Sequence, residues 1–407
     1  MYVAESRAPI PAGTGRVLTG NVLALGWVSL LTDVSSEMVT AVLPVYLVFT
    51  LGLGALEFGF LDGLYTGATT LLRLAGGHVA DRFGRRKPVA GVGYGLSAVS
   101  KLGFLAVGSS VPGIGLMIGA DRMGKGLRTA PRDAIISLSA PGAALGRAFG
   151  LHRAMDTAGA MAGPLVAFGV LALAAQAMDA VFFTSFCVAA VGVLVLVLFV
   201  REPATTAPAS SRPTLRAMAG LLGAGPFRRV VLAVLLLSLT TVSDAFLYLL
   251  LQQLLGLPPE YLPLLPVVVA GVYLAAAVPF GRLADRVGRR RAVFGGYAGI
   301  LACYALVLAG AGPAPVVAVA VLAVRGLAYA ATDGVQVALA GPFLPERVRA
   351  MGIAVLQTAQ ALAAMCCSWL FGALWAVWGP SQAVGTLAGG MTLALAASWL
   401  LLRGTAR

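Results

Sequence analysis

Twelve apolar runs leave this chain few folds to choose from: about 21–51, 57–80, 87–110, 112–139, 147–175, 178–200, 228–256, 260–284, 291–311, 313–344, 348–378 and 381–402. A helix of roughly 20 apolar residues spans a bilayer. Lipid offers no partner to backbone N–H and C=O groups, so each run must satisfy its own, which a helix does. The charged fraction of 11% is far below the ~25% usual in soluble domains, and the mean hydropathy is +0.90. The expected fold is all-α integral membrane, with twelve transmembrane helices and no separate soluble domain.

The net charge of +13 does not point to nucleic acid, because the cations gather in alternate connections. Those after even-numbered runs hold Arg82, Arg85, Arg86, Lys87, Arg147, Arg201, Arg212, Arg216, Arg286, Arg289, Arg290, Arg291, Arg347 and Arg349, whereas Glu57, Asp179 and Glu260 lie on the other side. By the positive-inside rule both termini are expected in the cytoplasm, in a multi-pass protein of the cytoplasmic (inner) membrane. The longest polar interval, Arg201 to Pro226, is rich in Pro, Ser and Thr, as a flexible linker is. The chain then divides into a cytoplasmic segment 1–20, a six-helix bundle 21–200, a cytoplasmic linker 201–227 and a second six-helix bundle 228–407. A removable signal peptide is not expected, since the first apolar run contains Asp33 and Glu37 and lacks a convincing cleavage site.

The two halves are copies. Gly77-His78-Val79-Ala80-Asp81-Arg82-Phe83-Gly84-Arg85-Arg86 returns as Gly281-Arg282-Leu283-Ala284-Asp285-Arg286-Val287-Gly288-Arg289-Arg290. Arg122 and Thr129 return as Arg325 and Thr332 at the same spacing, and Arg147-Ala148-Phe149-Gly150 returns as Arg349-Ala350-Met351-Gly352. Three matches in register imply two bundles related by a pseudo-twofold.

In these residues the chain resembles the major facilitator superfamily of secondary transporters. The Gly77 to Arg86 stretch and its copy match that family's signature between helices two and three. Arg122-Met123-Gly124-Lys125-Gly126 is similar to a second signature, with Lys125 where glutamine is common, and Gly159 to Pro164 is similar to the signature of the family's drug:proton antiporters. The resemblance implies two bundles rocking about a central cavity lined by helices one, four, seven and ten. Runs six, nine and twelve have no charge in their interiors, while runs one, four, seven and ten contain several, as lipid-facing and cavity-facing helices should. Lys101 in run three departs from this, and snorkelling and inward pairing both remain open for it.

The repeated stretch reads as a gate built from Gly77, Asp81, Arg82, Gly84, Arg85 and Arg86, and from Gly281, Asp285, Arg286, Gly288, Arg289 and Arg290. A carboxylate at a helix C-terminus opposes the dipole, whereas a helix N-terminus offers it N–H groups. The resemblance places the start of run eleven, Arg349 to Gly352, opposite Asp81. By symmetry Asp285 should face Arg147 to Gly150. Arg86, Lys87, Arg290 and Arg291 read instead as headgroup anchors.

A charged cluster distinguishes the first half. Asp33 and Glu37 lie four residues apart on one helix face, and two close carboxylates in a low dielectric cannot both comfortably ionise. Lys125, Arg128 and Arg132, followed by Asp133, offer cations at about one-turn spacing, and Pro131 should loosen the helix between them. Run five adds His152, Arg153 and Asp156, with His152 and Asp156 on a shared face. At the repeat-aligned positions Lys125, Arg128, His152 and Arg153 become Ala328, Ala331, Ala354 and Val355, so the scaffold does not need these charges. The second half keeps a milder polar wall with Asp244, Asp333 and Gln336.

The expectation is a proton-coupled exporter (antiporter) of a small organic molecule or drug, monomeric, with Asp33 or Glu37 exchanging a proton against the run-four arginines. The alternative is a proton symporter importing an organic anion held by Lys125, Arg128 and Arg132. No cofactor, metal or disulfide is expected: Cys187, Cys303, Cys366 and Cys367 lie within apolar runs, and His78 and His152 are the two histidines. Enzymatic activity is not expected, and nothing resembles a nucleotide-binding loop. A channel would not need two matching gates.

Overall fold

Each apolar run folds as helix. The computed structural model describes residues 20–83, 86–140, 145–202, 220, 223, 225–310, 312–344 and 349–403, with the side chains of 70–83 and 349–350 outside that description. The first half holds α1 (Gly20–Val45, continued by a π turn Tyr46–Thr50), α2 (Ala55–Phe83), α3 (Arg86–Ala106), α4 (Val111–Ser139), α5 (Leu145–Leu173) and α6 (Met178–Phe199). The second holds α7 (Gly225–Ser238), α8 (Asp244–Leu255), a 3-10 turn Pro259–Leu264, α9 (Leu265–Val287), α10 (Arg289–Ala309), α11 (Ala314–Thr332), α12 (Val335–Ala340), α13 (Arg349–Trp378) and α14 (Pro380–Leu402). Among the described residues nine spans are long and apolar enough to cross a membrane. The remaining three of the twelve runs differ for physical reasons. α2 and α4 carry several polar and charged residues, those of α4 partly buried, and run seven is interrupted.

Two helices break where the sequence reading had them continuous, and α4 passes through Pro131 unbroken. Run seven unwinds at 239–243 between α7 and α8. Unwound backbone inside a bilayer needs partners. Tyr304 supplies two, accepting from Val242 N at 2.8 Å and donating to Thr240 O at 2.9 Å, while Arg325 Nη2 donates to Val242 O at 2.9 Å. Ser243 then caps α8, its Oγ accepting from Phe246 N at 3.3 Å. Run ten breaks at Asp333 and Gly334 between α11 and α12, with Gly334 at φ +71.

In the first half α1 packs on α5 and α6, α2 on α4, and α3 on α4 and α6. In the second, α9 and α10 pack on α11, while α14 packs on α7, α10 and α13. The halves meet where α2 lies along α13, and where α5 and α1 touch the 3-10 turn before α9. At the α2–α13 seam the backbones touch: a Cβ at Gly59 would stand 2.7 Å from Ser368 O and 2.9 Å from Gly372 Cα. Phe58 and Phe371 each meet Phe246 edge-on at 4.8 Å, and Trp369 stacks on Phe60 at 5.9 Å. These contacts seal one end of the molecule.

The repeated stretches clamp each half internally. Glu202, just beyond α6, accepts from the backbone N–H groups of Arg86 and Lys87 at 3.0 and 2.6 Å, and Lys87 Nζ donates to Val197 O at 2.9 Å. In the second half Arg290 donates to Leu402 O and Trp399 O, both at 3.0 Å, with its guanidinium 4.0 Å over the Trp399 ring. Lys87 and Arg290 therefore differ from the headgroup anchors expected of them, because the last carbonyls of α6 and α14 need donors. The linker 203–219 lies outside the described residues.

Candidate functional site

A cavity of about 610 Å³ lies between the halves, below the sealed end. The first half contributes α1 and α2 to its wall, and the second contributes α7 to α11, α13 and the residues at the α11–α12 break. Among the described residues none of α4 lines it, contrary to the expectation from the resemblance. Tyr65 of α2 covers that helix, lying under the Arg122 guanidinium at 4.0 Å, and the charges of α4 turn into their own bundle.

The chemistry of the wall comes mainly from the second half. Arg325 Nε donates to Asp244 Oδ1 at 2.8 Å, Tyr329 OH donates to Asp244 Oδ2 at 2.9 Å, and the guanidinium sits 4.8 Å over the Tyr329 ring. Tyr273 OH donates to Asp333 Oδ2 at 2.9 Å, and Gln336 Nε2 donates to Tyr297 OH at 2.8 Å. Asp244, Asp333 and Gln336, all singled out in the sequence, thus stand at one cavity. Asp62 of α2, which sequence reasoning missed, also lines it and accepts from Ser368 Oγ across the seam at 2.6 Å. A lone carboxylate within an apolar run was the signal that could have found it.

The first-half charges form a separate cluster inside their bundle. Arg128 Nη2 lies 3.8 Å from Asp33, with its guanidinium 4.7 Å over the Tyr94 ring. Asp156 comes alongside Asp33, accepts from Ser29 Oγ at 3.1 Å, and has Arg132 and Arg153 at 4.0 and 3.7 Å. Arg132 also pairs with Asp133 at 2.9 Å. The close carboxylates are therefore Asp33 and Asp156, not Asp33 and Glu37. Glu37 packs against Gly163 of α5 and looks toward Tyr65 and Arg122, because four residues of helix leave room for the two side chains to diverge. Among the described residues Lys125 has no ion pair, and His152 is buried with neither ring nitrogen hydrogen-bonded. Arg128 Nη1 and Tyr94 OH are likewise buried without a partner.

Beneath Tyr65 lies a third group that the sequence reading did not assemble. Asp121 accepts from Lys101 Nζ at 3.0 Å, from Ser97 and from Arg122. Lys101 is 1% exposed, so it pairs inward.

The gate is only partly described. The side chains of Gly77, Asp81, Arg82, Gly84 and Arg85, and those of Arg349 and Ala350, lie outside the described residues. Asp285 is 72% exposed and its ion pair is with Arg289 at 3.9 Å, while Arg289 Nη1 donates to Ala338 O at 3.0 Å. Arg286 and Gly288 are exposed, and Gly281 is half-buried.

A family model described as Major Facilitator Superfamily matches residues 25–272 and 231–407. An uncharacterized MFS-type transporter of Methanocaldococcus jannaschii is 31% identical over 417 residues, covering 98% of both chains. The chain belongs to the major facilitator superfamily. It is thus a multi-pass, non-enzymatic membrane transporter of the secondary type, working by alternating access. Solved structures agree on the fold of this major facilitator. The nucleoside transporter NupG superposes with a TM-score of 0.79 at 14% identity, over 95% of this chain and 100% of that one. A bacterial homolog of the human lysosomal transporter Spinster gives 0.71 at 16% identity, over 94% and 96%. A mutant form of the peptide transporter POT gives 0.75 at 15%, over 94% and 93%.

Proposed function

We propose that this major facilitator is a proton-coupled antiporter of the cytoplasmic membrane that exports a small organic molecule. The observation that carries the reading is the division of labour between two polar sites. The cavity between the bundles has the volume of a small-molecule site, typically about 300–1,000 Å³, and mixes tyrosines with carboxylates. About seven residues of α1 away from Thr40 in its wall, or roughly 10 Å along the helix, Asp33 pairs with Arg128 beside Asp156, which pairs with Arg132. A proton on either carboxylate weakens its hold on the arginines. That change is passed along α1 to the cavity and favours the other conformation.

With both termini in the cytoplasm, the sealed α2–α13 end faces outward and this conformation faces inward. The gate carboxylates Asp81 and Asp285 then stabilise the outward-facing state, in which their bundle ends come together. The anion-import alternative has less support, because Lys125, Arg128 and Arg132 do not line the cavity and Arg325, which does, is held by Asp244. Purified protein in vesicles tests the reading. Candidate small molecules should show saturable flux driven by an imposed pH gradient, with protons moving the opposite way. Flux that ignores the gradient, or protons moving with the substrate, overturns antiport.

A further inference from the structure

Among the described residues three guanidinium groups lie over a tyrosine ring beside a carboxylate, Arg128 with Tyr94 and Asp33 being one, and two of them are also hydrogen-bonded to it. Arg122 lies 4.0 Å over the Tyr65 ring and is bonded to Asp121, and Arg325 lies 4.8 Å over the Tyr329 ring and is bonded to Asp244. In the second case the tyrosine hydroxyl also donates to the carboxylate at 2.9 Å. Asp333 and Tyr273 repeat that arrangement at the cavity wall, hydroxyl to Oδ2 at 2.9 Å, but among the described residues no cation lies within ion-pair distance of Asp333. The cation among the charges that act on Tyr273 is Arg153 of α5, and it is paired with Asp156 at 3.7 Å.

The charge of the wall points the same way. Asp62, Asp244 and Asp333 line the cavity with one described cation, Arg325, which is bonded to Asp244. Asp62 has a serine hydroxyl at 2.6 Å and, among the described residues, no cation within ion-pair distance. Asp62 is half-buried, where an unpaired carboxylate is costly, Asp333 is exposed to the cavity and free to meet a solute, and tyrosine faces attract cations.

We infer that the substrate is an organic cation, a guanidinium or alkylammonium on an apolar or aromatic body, whose charge is held by Asp333 and the face of Tyr273. Asp62 is the second carboxylate of the site. The inference rests on the cavity being the substrate site, but its test does not use transport. The wall of Leu43, Leu47, Phe58 and Val269 accepts the apolar body. An anion of the same shape is rejected by Asp62 and Asp333, which among the described residues have no cation within ion-pair distance.

Equilibrium dialysis of the purified protein in detergent, with no gradient, provides the test. The probes are tetraphenylphosphonium and tetraphenylborate, which share a shape and differ in sign. The phosphonium should bind saturably and at least 10-fold more tightly than the borate. Asp333→Asn should weaken it about 10-fold or more, while Asp179→Asn, an equal loss of charge at an exposed helix start, should not. Borate binding as tight as phosphonium binding, no phosphonium binding at millimolar concentration, or unaltered binding by Asp333→Asn would each overturn the inference. The comparison of the two ions uses the unaltered protein, so it stands even where a variant does not fold. Gradient-driven flux of a neutral or anionic molecule alongside any of these outcomes leaves the transporter reading intact and removes only the substrate class.

Discussion

In the first bundle Arg128 and Arg132 turn inward to Asp33 and Asp156, away from the cavity, whereas in the second Arg325 holds Asp244 at the cavity wall. The two bundles began as one sequence, and their charges now face different solvents. Where the first has Arg128, the second has the buried, repeat-aligned Ala331. The comparison teaches that a duplicated scaffold can place charge in two ways: one copy keeps it within its interior, and the other presents it to the cavity.

The largest effect should come from Arg325→Ala. It strands Asp244 and removes the donor to Val242 O, and breaking a buried pair costs about 3–5 kcal/mol. Thermal unfolding of the purified protein would measure it. Arg128→Ala should cost less, because its ion pair is longer, 3.8 Å against 2.8 Å, and one of its nitrogens is already unpartnered. The reverse order would break the comparison.

Gly372→Val comes next. A Cβ there already meets Ala55 O at 2.5 Å, and overpacking costs about 1–3 kcal/mol, so the sealed conformation should lose about 10-fold or more in population. Spin-label distances across the α2–α13 seam read this directly. Third, Asp33→Asn should leave ligand binding within about 2-fold but slow pH-driven flux about 10-fold, equivalent to about 1.4 kcal/mol. Asp244→Asn should impair both, and equal behaviour of the two variants would erase the division between the bundles. The smallest effect belongs to Asp285→Asn, whose exposed ion pair is worth at most about 0.5 kcal/mol in this conformation. A larger loss of thermal stability would show that Asp285 has a partner in this conformation besides Arg289.

Much of the fold was legible because hydropathy acts locally: a run of apolar residues becomes a helix whatever its neighbours. The breaks were not legible, since Leu239 to Ser243 has no strong helix breaker and its unwinding depends on Tyr304 and Arg325 from distant helices. Asp244, Asp333 and Gln336 were found from sequence because charge and amide groups stand out in apolar runs. Asp33 and Glu37 were paired by spacing alone, but side-chain direction is set by what α5 presents, and α5 presents Asp156 to one and Gly163 to the other. Lys101 and Asp121 looked unrelated because their contact joins two helices.

The clamps at Lys87 and Arg290 carry a consequence for speed. α3 is tied to α6 and α10 to α14 at the loop end, so a rocking motion that leaves these bonds intact turns each bundle as one body. The halves then turn against each other at the strip where Gly59 meets Gly372 and at the 3-10 turn before α9, where α1 and α5 touch it. A single methyl group at that strip, as in Gly372→Ala, is then expected to change turnover while the side chains of the cavity wall stay the same.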